Sequence, residues 1–216
     1  MKKVETCPFC FSDEVDLFAQ EKDRDYLHCK KCDLVFVPRR DFISKEEEKA
    51  KYDQHQNSPQ NQGYRDFLNR LLIPLCTFLP KGAKGLDFGS GPGPTLSIMM
   101  KELGFKMDIY DYFYHNTPEV FEKKYDFITT TEVIEHLHNP KDEIVKLWNC
   151  LEDGGILGIM TAFRVSDEKF SDWYYKRDLT HVRFFTKASF QWLADELGAQ
   201  LVIPQNDVVI LKKRKT

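Results

Sequence analysis

Four of the six cysteines fall in two C-x-x-C pairs, Cys7-Pro-Phe-Cys10 and Cys29-Lys-Lys-Cys32, with eighteen residues between the pairs. Each pair turns the chain so that two thiolates face one point, and two pairs complete a tetrahedron around Zn2+. Lys30 and Lys31 beside the second pair offset the charge of an S4 site. Disulfides, or four unrelated buried cysteines, are the alternatives. A cytoplasmic location argues against the first, and the N-terminus MKKVETCPFC supports that location because it has no apolar signal core. Four thiolates close the coordination shell, so the metal is expected to be structural, with no place in it for His28. EVDLFAQ, RDYLHC and DLVFVPRR read as short strands around the knuckles. Residues 1–40 can bury little core of their own, which makes them a zinc ribbon folded by its metal. Cys76 and Cys150 lie in helical patterns and read as packed thiols.

Beyond the ribbon the pattern changes. Ser44-Lys-Glu-Glu47 matches a capping box and predicts a charged helix to about His55. QNSPQNQG is rich in chain breakers, so residues 41–63 are expected to be a helical and linker segment. From Tyr64, apolar residues recur at helical spacing (Phe67, Leu68, Leu71, Leu72, Leu75). Residues 64–216 then alternate: strand KGLDF, helix TLSIMMKELG, strand FKMDIYDYF, strand YDFITTT, helix NPKDEIVKLWNCLEDGG, strand ILGIMTAF and helix KASFQWLADELG with Thr186 as N-cap. QLVIP and DVVILKK close the chain as a hairpin. This alternation predicts an α/β fold with a mostly parallel sheet covered by helices. No apolar run is long enough to span a bilayer. The net charge of −3 favours neither nucleic acid nor membrane, and the basic run Lys212–Lys215 reads as a solvated end.

The glycine turn carries the first chemistry. Asp87-Phe-Gly89-Ser90-Gly91-Pro-Gly93 lets the backbone approach a ligand closely. It departs from G-x-G-x-x-G, and no phosphate-binding lysine follows. Asp111 ends the next strand, where a carboxylate can accept both hydroxyls of a ribose; Asp108 is the alternative. A glycine turn, a ribose carboxylate and no phosphate cradle suit an adenosine without phosphates.

The run LDFGSGPG, then Asp111, YDFITTTEVIEHL and DGGILGIMT resembles the class I S-adenosylmethionine-dependent methyltransferases, over residues 64–213 and with the motifs in order. The resemblance implies a Rossmann-like seven-stranded sheet with its last strand antiparallel. It implies that Asp87, Gly89, Ser90, Gly91 and Gly93 line the cofactor, that Asp111 holds its ribose, that Tyr112 lies by the adenine, and that Glu132 stands at the mouth of the fourth family strand. A zinc ribbon joined to such a domain is similar to a group of bacterial methyltransferases, some of which modify sugars or small metabolites.

Two further stretches bear on the acceptor. DWYYKRDLTHVRFF places Trp173, Tyr174 and Tyr175 side by side, so at least one should be exposed, which suggests a lid over the cleft; packing into the core is the alternative. Its Asp178-x-x-His181 part resembles a family segment whose histidine faces the active site. His181 is therefore expected to be the general base, with Asp178 orienting it or making a local turn. Glu132, Glu135, His136 and His181 together resemble the metal site of small-RNA 3′-end methyltransferases and of ubiquinone-biosynthesis O-methyltransferases. That resemblance implies a second divalent cation, for which a mixed O/N set suits Mn2+, Fe2+, Co2+ or Zn2+ better than Mg2+. The same E-H-L also occurs in members with no metal. His138 lies outside the pattern and reads as surface.

These readings converge on a methyltransferase for a small-molecule or sugar-like acceptor, with O-methylation aided by His181. Two others stay open: an adaptor whose methyltransferase domain only binds cofactor, and a metal-assisted enzyme acting on an RNA or a diol. The acidic balance argues against nucleic acid without closing that option. The sequence sets no oligomeric state.

Overall fold

The computed structural model describes residues 5–22, 24–54 and 57–215. Its elements, in chain order, begin with β1 (Val15–Glu21), β2 (Arg24–Cys29) and β3 (Val35–Phe36). Then come α1 (Lys45–Tyr52), α2 (Gln62–Cys76), β4 (Lys84–Phe88), α3 (Thr95–Glu102), β5 (Lys106–Tyr110) and β6 (Tyr125–Thr131). The rest are α4 (Pro140–Asn149), β7 (Leu151–Met160), the short α5 (Asp167–Phe170), β8 (Arg183–Phe184), α6 (Lys187–Leu197), β9 (Gln200–Gln205) and β10 (Val208–Lys212).

The main sheet runs β5-β4-β6-β7-β10-β9. β4, β5, β6 and β7 pair in parallel, and β10 is antiparallel to both β7 and β9. The expected closing hairpin is present, inserted so that the last strand lies inside the edge. The sheet has six strands among the described residues rather than seven. Between β5 and β6 the chain has Pro118 and a run of charges, and it forms only a 3-10 turn over Pro118–Glu122, which leaves β5 as the edge.

Alternation along the strands sorts the core into two layers. Phe127, Ile156, Val208 and Ile210 face α2 and α3. Ile128, Leu157, Val209 and Leu211 face the opposite way, toward buried residues of α4 and α6. α1 is capped as expected: Ser44 Oγ accepts from Glu47 N and the Glu47 carboxylate accepts from Ser44 N. The helix ends at Tyr52, and the expected limit at His55 lies outside the described residues. Thr186 caps α6. The helix expected to reach Gly155 stops at Asn149, and β7 starts at Leu151. Gly154, at φ +78°, lies where the β6–β7 register shifts between Tyr125 and Phe127.

The ribbon strands form a second sheet, β1-β2-β3-β8. Its fourth strand comes from far along the chain, with Val35 opposite Phe184 and Phe36 opposite Arg183. Phe9 of the first knuckle packs on Phe185 and Trp192 at ring distances of 5.3 and 5.2 Å. Ribbon and α/β layers thus share one apolar cluster.

Candidate functional site

A cavity of about 620 Å³ opens at the carboxyl ends of β4, β5 and β6, where ligands bind in open α/β sheets. One half is built by the glycine turn. Gly89 N and Ser90 N both donate to Tyr110 O, at 2.8 and 3.1 Å. Gly89 has φ +77°, and a Cβ there would meet Val133 Cγ2 at 2.4 Å. A Cβ on Gly93 would meet Asn57 O at 2.3 Å, so the linker before α2 lies directly on the turn.

Asp111 lines this half. Its Oδ2 accepts from Gly91 N at 2.9 Å, and its Oδ1 accepts from Phe113 N and Tyr114 N at 2.9 and 3.1 Å. Asp108 instead takes hydrogen bonds from Lys123 Nζ and Tyr125 OH and does not line the cavity. Asp87 is buried and accepts from Thr129 Oγ1 at 2.9 Å; loss of water pushes its carboxyl up to about 6. Tyr112 is exposed at the rim, where its hydroxyl accepts from Lys45 Nζ at 2.8 Å.

The other half gathers distant segments. After β6 the backbone reverses through Glu132 at φ +51°, held by Glu132 N donating to Met160 O at 2.8 Å. The next residues turn helically over Ile134–His136. Glu135 is fully buried; its Oε2 accepts from Thr161 Oγ1 at 2.9 Å and its Oε1 from Tyr175 OH at 2.6 Å. Glu132 Oε2 lies 3.2 Å from the same phenol. Burial, and then the Glu135 charge, raise the Glu132 carboxyl to about 9. Burial also raises Glu135, against the pull of His181.

The two histidines are oriented by carbonyls. His136 Nδ1 lies 3.2 Å from Thr180 O and His181 Nδ1 lies 2.7 Å from Tyr175 O. A carbonyl only accepts, so in each neutral ring Nδ1 carries the proton and Nε2 the lone pair. The rings are 4.6 Å apart. One ligand atom each from Glu135, His136 and His181 lie within 4.8 Å of one another. Glu132 stands outside that group, so three of the four residues expected around a second cation are gathered.

Other expectations are corrected. Trp173 and Tyr175 are buried in an aromatic cluster with Tyr26, Phe170 and Phe184, and only Tyr174 is exposed, so these rings do not form a lid. Asp178 Oδ1 is taken up by Thr180 N and Oγ1, so it makes the local turn while Tyr175 orients His181. His138 is half-buried, lines the cavity and packs on Phe42 at 4.5 Å. Sequence reasoning missed α1: Lys45, Glu48 and Tyr52 line the cavity, and Tyr52 packs on Phe113 and His136. It also missed Tyr175 as the partner of Glu135. The α1 sequence has no apolar stripe to signal contact, and Tyr175 stands in a run of three aromatics that looks the same at each position.

Away from the cleft, the four ribbon sulfurs also lie within 4.8 Å of one another. Cys7 and Cys32 Sγ are 3.6 Å apart, and Cys10 and Cys29 Sγ are 3.3 Å apart. A tetrahedral Zn–S4 centre places sulfurs about 3.8 Å apart, so the set fits zinc with a small relaxation. His28 is outside it, with Nε2 2.7 Å from Asp33 Oδ1.

Comparison with known proteins points one way. A family model described as a methyltransferase domain matches residues 54–203. A search of curated proteins found no match. A similar solved structure is that of a Burkholderia thailandensis 1,6-didemethyltoxoflavin-N1-methyltransferase with bound 1,6-didemethyltoxoflavin and S-adenosylhomocysteine. It is 13% identical, covers 91% of this chain and 98% of that chain, and has a TM-score of 0.54. Another comes from the complex between the Haloferax volcanii Trm112 methyltransferase activator and a methyltransferase, at 9% identity, 81% and 100% coverage and a TM-score of 0.51. At such identities the likeness is one of fold. No helix among the described residues is long and apolar enough to cross a membrane.

Proposed function

We propose that this chain, which belongs to the methyltransferase-domain family, is an S-adenosylmethionine-dependent enzyme that methylates a hydroxyl of a small-molecule or sugar-like acceptor in the cavity above β4 and β6. Gly89, Gly91 and Gly93 would hold the cofactor, with Asp111 for its ribose hydroxyls and Tyr112 for its adenine. Asp111 already accepts three backbone N–H bonds, which fixes its carboxylate before ligand arrives. Glu132 and His181 line the same cavity and would stand on the acceptor side of it. The acceptor oxygen attacks the methyl carbon as the C–S bond breaks, and S-adenosylhomocysteine leaves. The acceptor proton passes to His181 Nε2.

The observation that carries this reading is the bond between His181 Nδ1 and Tyr175 O, which leaves Nε2 as the basic atom. Buried Glu135 beside it stabilises the imidazolium as it forms. Turnover of S-adenosylmethionine with fractionated cell metabolites, lost in His181→Ala while cofactor binding persists, tests it. Equal turnover by the variant would refute the base role. Cofactor binding with no turnover of any acceptor would instead favour an adaptor.

A second reading rests on the same cluster. Glu135, His136 and His181 offer one oxygen and two imidazole nitrogens, with each Nδ1–H on a carbonyl as metal-bound histidines usually are. Those residues would hold a divalent cation of the Mn2+ to Zn2+ series, which when bound would lower the pKa of an acceptor hydroxyl. Elemental analysis separates the readings: about one zinc per chain, lost on cysteine mutation, for the ribbon alone, and a second equivalent lost in His136→Ala for the cleft. We assign the ribbon zinc a structural role, with Cys7, Cys10, Cys29 and Cys32 as its ligands.

A further inference from the structure

The segment that carries His181 is laid along the ribbon for most of its length. Lys176 pairs with Glu21 at the end of β1. Arg24 Nη2 in β2 donates to Leu179 O at 2.6 Å. Val37 N donates to Val182 O at 3.0 Å, and β3 then pairs with β8 through Arg183 and Phe184. Thr186 Oγ1 donates to Asp33 Oδ2 at 2.7 Å, just past the second zinc knuckle. On its other side the same segment holds the glutamate turn. Val182 N donates to Glu135 O at 2.9 Å, and Thr180 O receives His136 Nδ1. A continuous chain of backbone hydrogen bonds therefore runs from ribbon Val37 through Val182 to Glu135, with His181 adjacent to its middle link.

Arg183 ties the three pieces together. It is 1% exposed, and its guanidinium donates to Val37 O at 3.1 Å, to Val182 O at 2.7 Å and to His138 O at 2.8 Å. Those carbonyls belong to the ribbon, the histidine segment and the loop after Glu135. No carboxylate lies within ion-pair distance of it among the described residues, and its Nε is buried without a hydrogen-bond partner. The guanidinium lies over the Phe42 and Phe36 rings at 5.2 and 6.0 Å, but burying a charge with no carboxylate still costs stability, so the three carbonyl bonds are what an arginine adds here. β8 itself spans only two residues, too short to hold its register without the edge of β3. That edge is presented by the module that carries the four buried cysteines Cys7, Cys10, Cys29 and Cys32, as expected if metal sets its shape.

We infer that the zinc ribbon is a positioning module for the acceptor half of the cleft, with Arg183 as the positioning residue that fixes His181 and the Glu135 turn against one another. The inference rests on the proposed roles of His181 and Glu135. The glycine turn has no such dependence: its hydrogen bonds and Asp111 close within residues 89–114.

The test uses the full chain with labelled histidines and reads the imidazole tautomers by long-range 1H–15N correlation, beside calorimetry of S-adenosylmethionine. In the zinc-loaded wild type, His181 and His136 should each show the single Nδ1–H tautomer. In Arg183→Met with zinc retained, and in zinc-stripped wild type, both should average between tautomers while cofactor affinity changes by less than about threefold. Arg183→Lys, which can reach one of the carbonyls, should restore part of the single-tautomer signal. An unchanged His181 tautomer in Arg183→Met and in stripped protein would overturn the inference. So would a loss of cofactor affinity above tenfold in both, because the ribbon would then brace the whole domain. If wild type binds no cofactor, the proposed function fails, and the tautomer readout still decides the positioning role.

Discussion

The two halves of the cleft are built in opposite ways. The proposed cofactor half comes mainly from one stretch of chain, β4 through the turn after β5, with Asn57 and Lys45 of earlier segments laid against it, and its key bonds join residues about twenty positions apart. Gly91 N meets Asp111, and Gly89 N meets Tyr110 O. The acceptor half needs Glu132–His136, Thr161, Tyr175, His181 and, behind them, ribbon residues more than a hundred positions away. The first is a local motif that can be carried from chain to chain. The second is a tertiary assembly, so its precision depends on whatever fixes the distant parts, and here those parts include a cysteine-rich ribbon.

Substitutions can break that division. The largest effect is expected from His181→Ala, which should lower turnover by about 10²- to 10⁴-fold, the usual contribution of a general base, with cofactor affinity near wild type by calorimetry. Asp111→Ala should do the reverse in kind, weakening cofactor binding by much more than tenfold while leaving the His181 tautomer in place. Its smaller number still separates the halves, because calorimetry and the imidazole spectrum move independently.

Smaller effects sharpen the comparison. Asp87 lies under the glycine turn, and its folded carboxyl, raised to about 6, stays protonated over a range where the unfolded one, near 3.8, ionises. The folded state therefore binds the extra proton, and this contribution to stability is present at low pH and lost as pH rises from about 4 to 6. Asp87→Asn removes that loss. Its stability relative to wild type should rise by up to about 3 kcal/mol across the window, read by chemical denaturation at a series of pH values. Equal slopes for both proteins would contradict the burial of this charge. Tyr175→Phe should cost least, about 1–3 kcal/mol of stability from the unsatisfied Glu135 oxygen. It should not disturb the His181 Nδ1 bond, whose acceptor is the Tyr175 backbone.

The same division explains what the sequence made legible. Asp111 and the glycines stood out because their spacing along one strand-turn-helix unit is their geometry. The cysteine pairs stood out for the same reason. Glu135, His136 and His181 were nameable as residue types, and the structure gathers them, while Glu132 stands outside that group with its carboxylate on the Tyr175 phenol. Tyr175 was set with a lid since nothing in WYY says which ring will face Glu135. The pairing of β3 with β8 was invisible, because two-residue strands carry no periodicity. The strand count was set at seven by resemblance, and the segment before β6, broken by proline, forms a turn instead.

A crystal structure with S-adenosylhomocysteine bound tests the division of the cleft most directly. The ribose hydroxyls are expected on Asp111, the sulfur open toward the Glu132 side, and His181 Nε2 within hydrogen-bond reach of the space where an acceptor oxygen must stand. A cofactor seated away from Asp111, or a sulfur walled off from His181, would contradict that division.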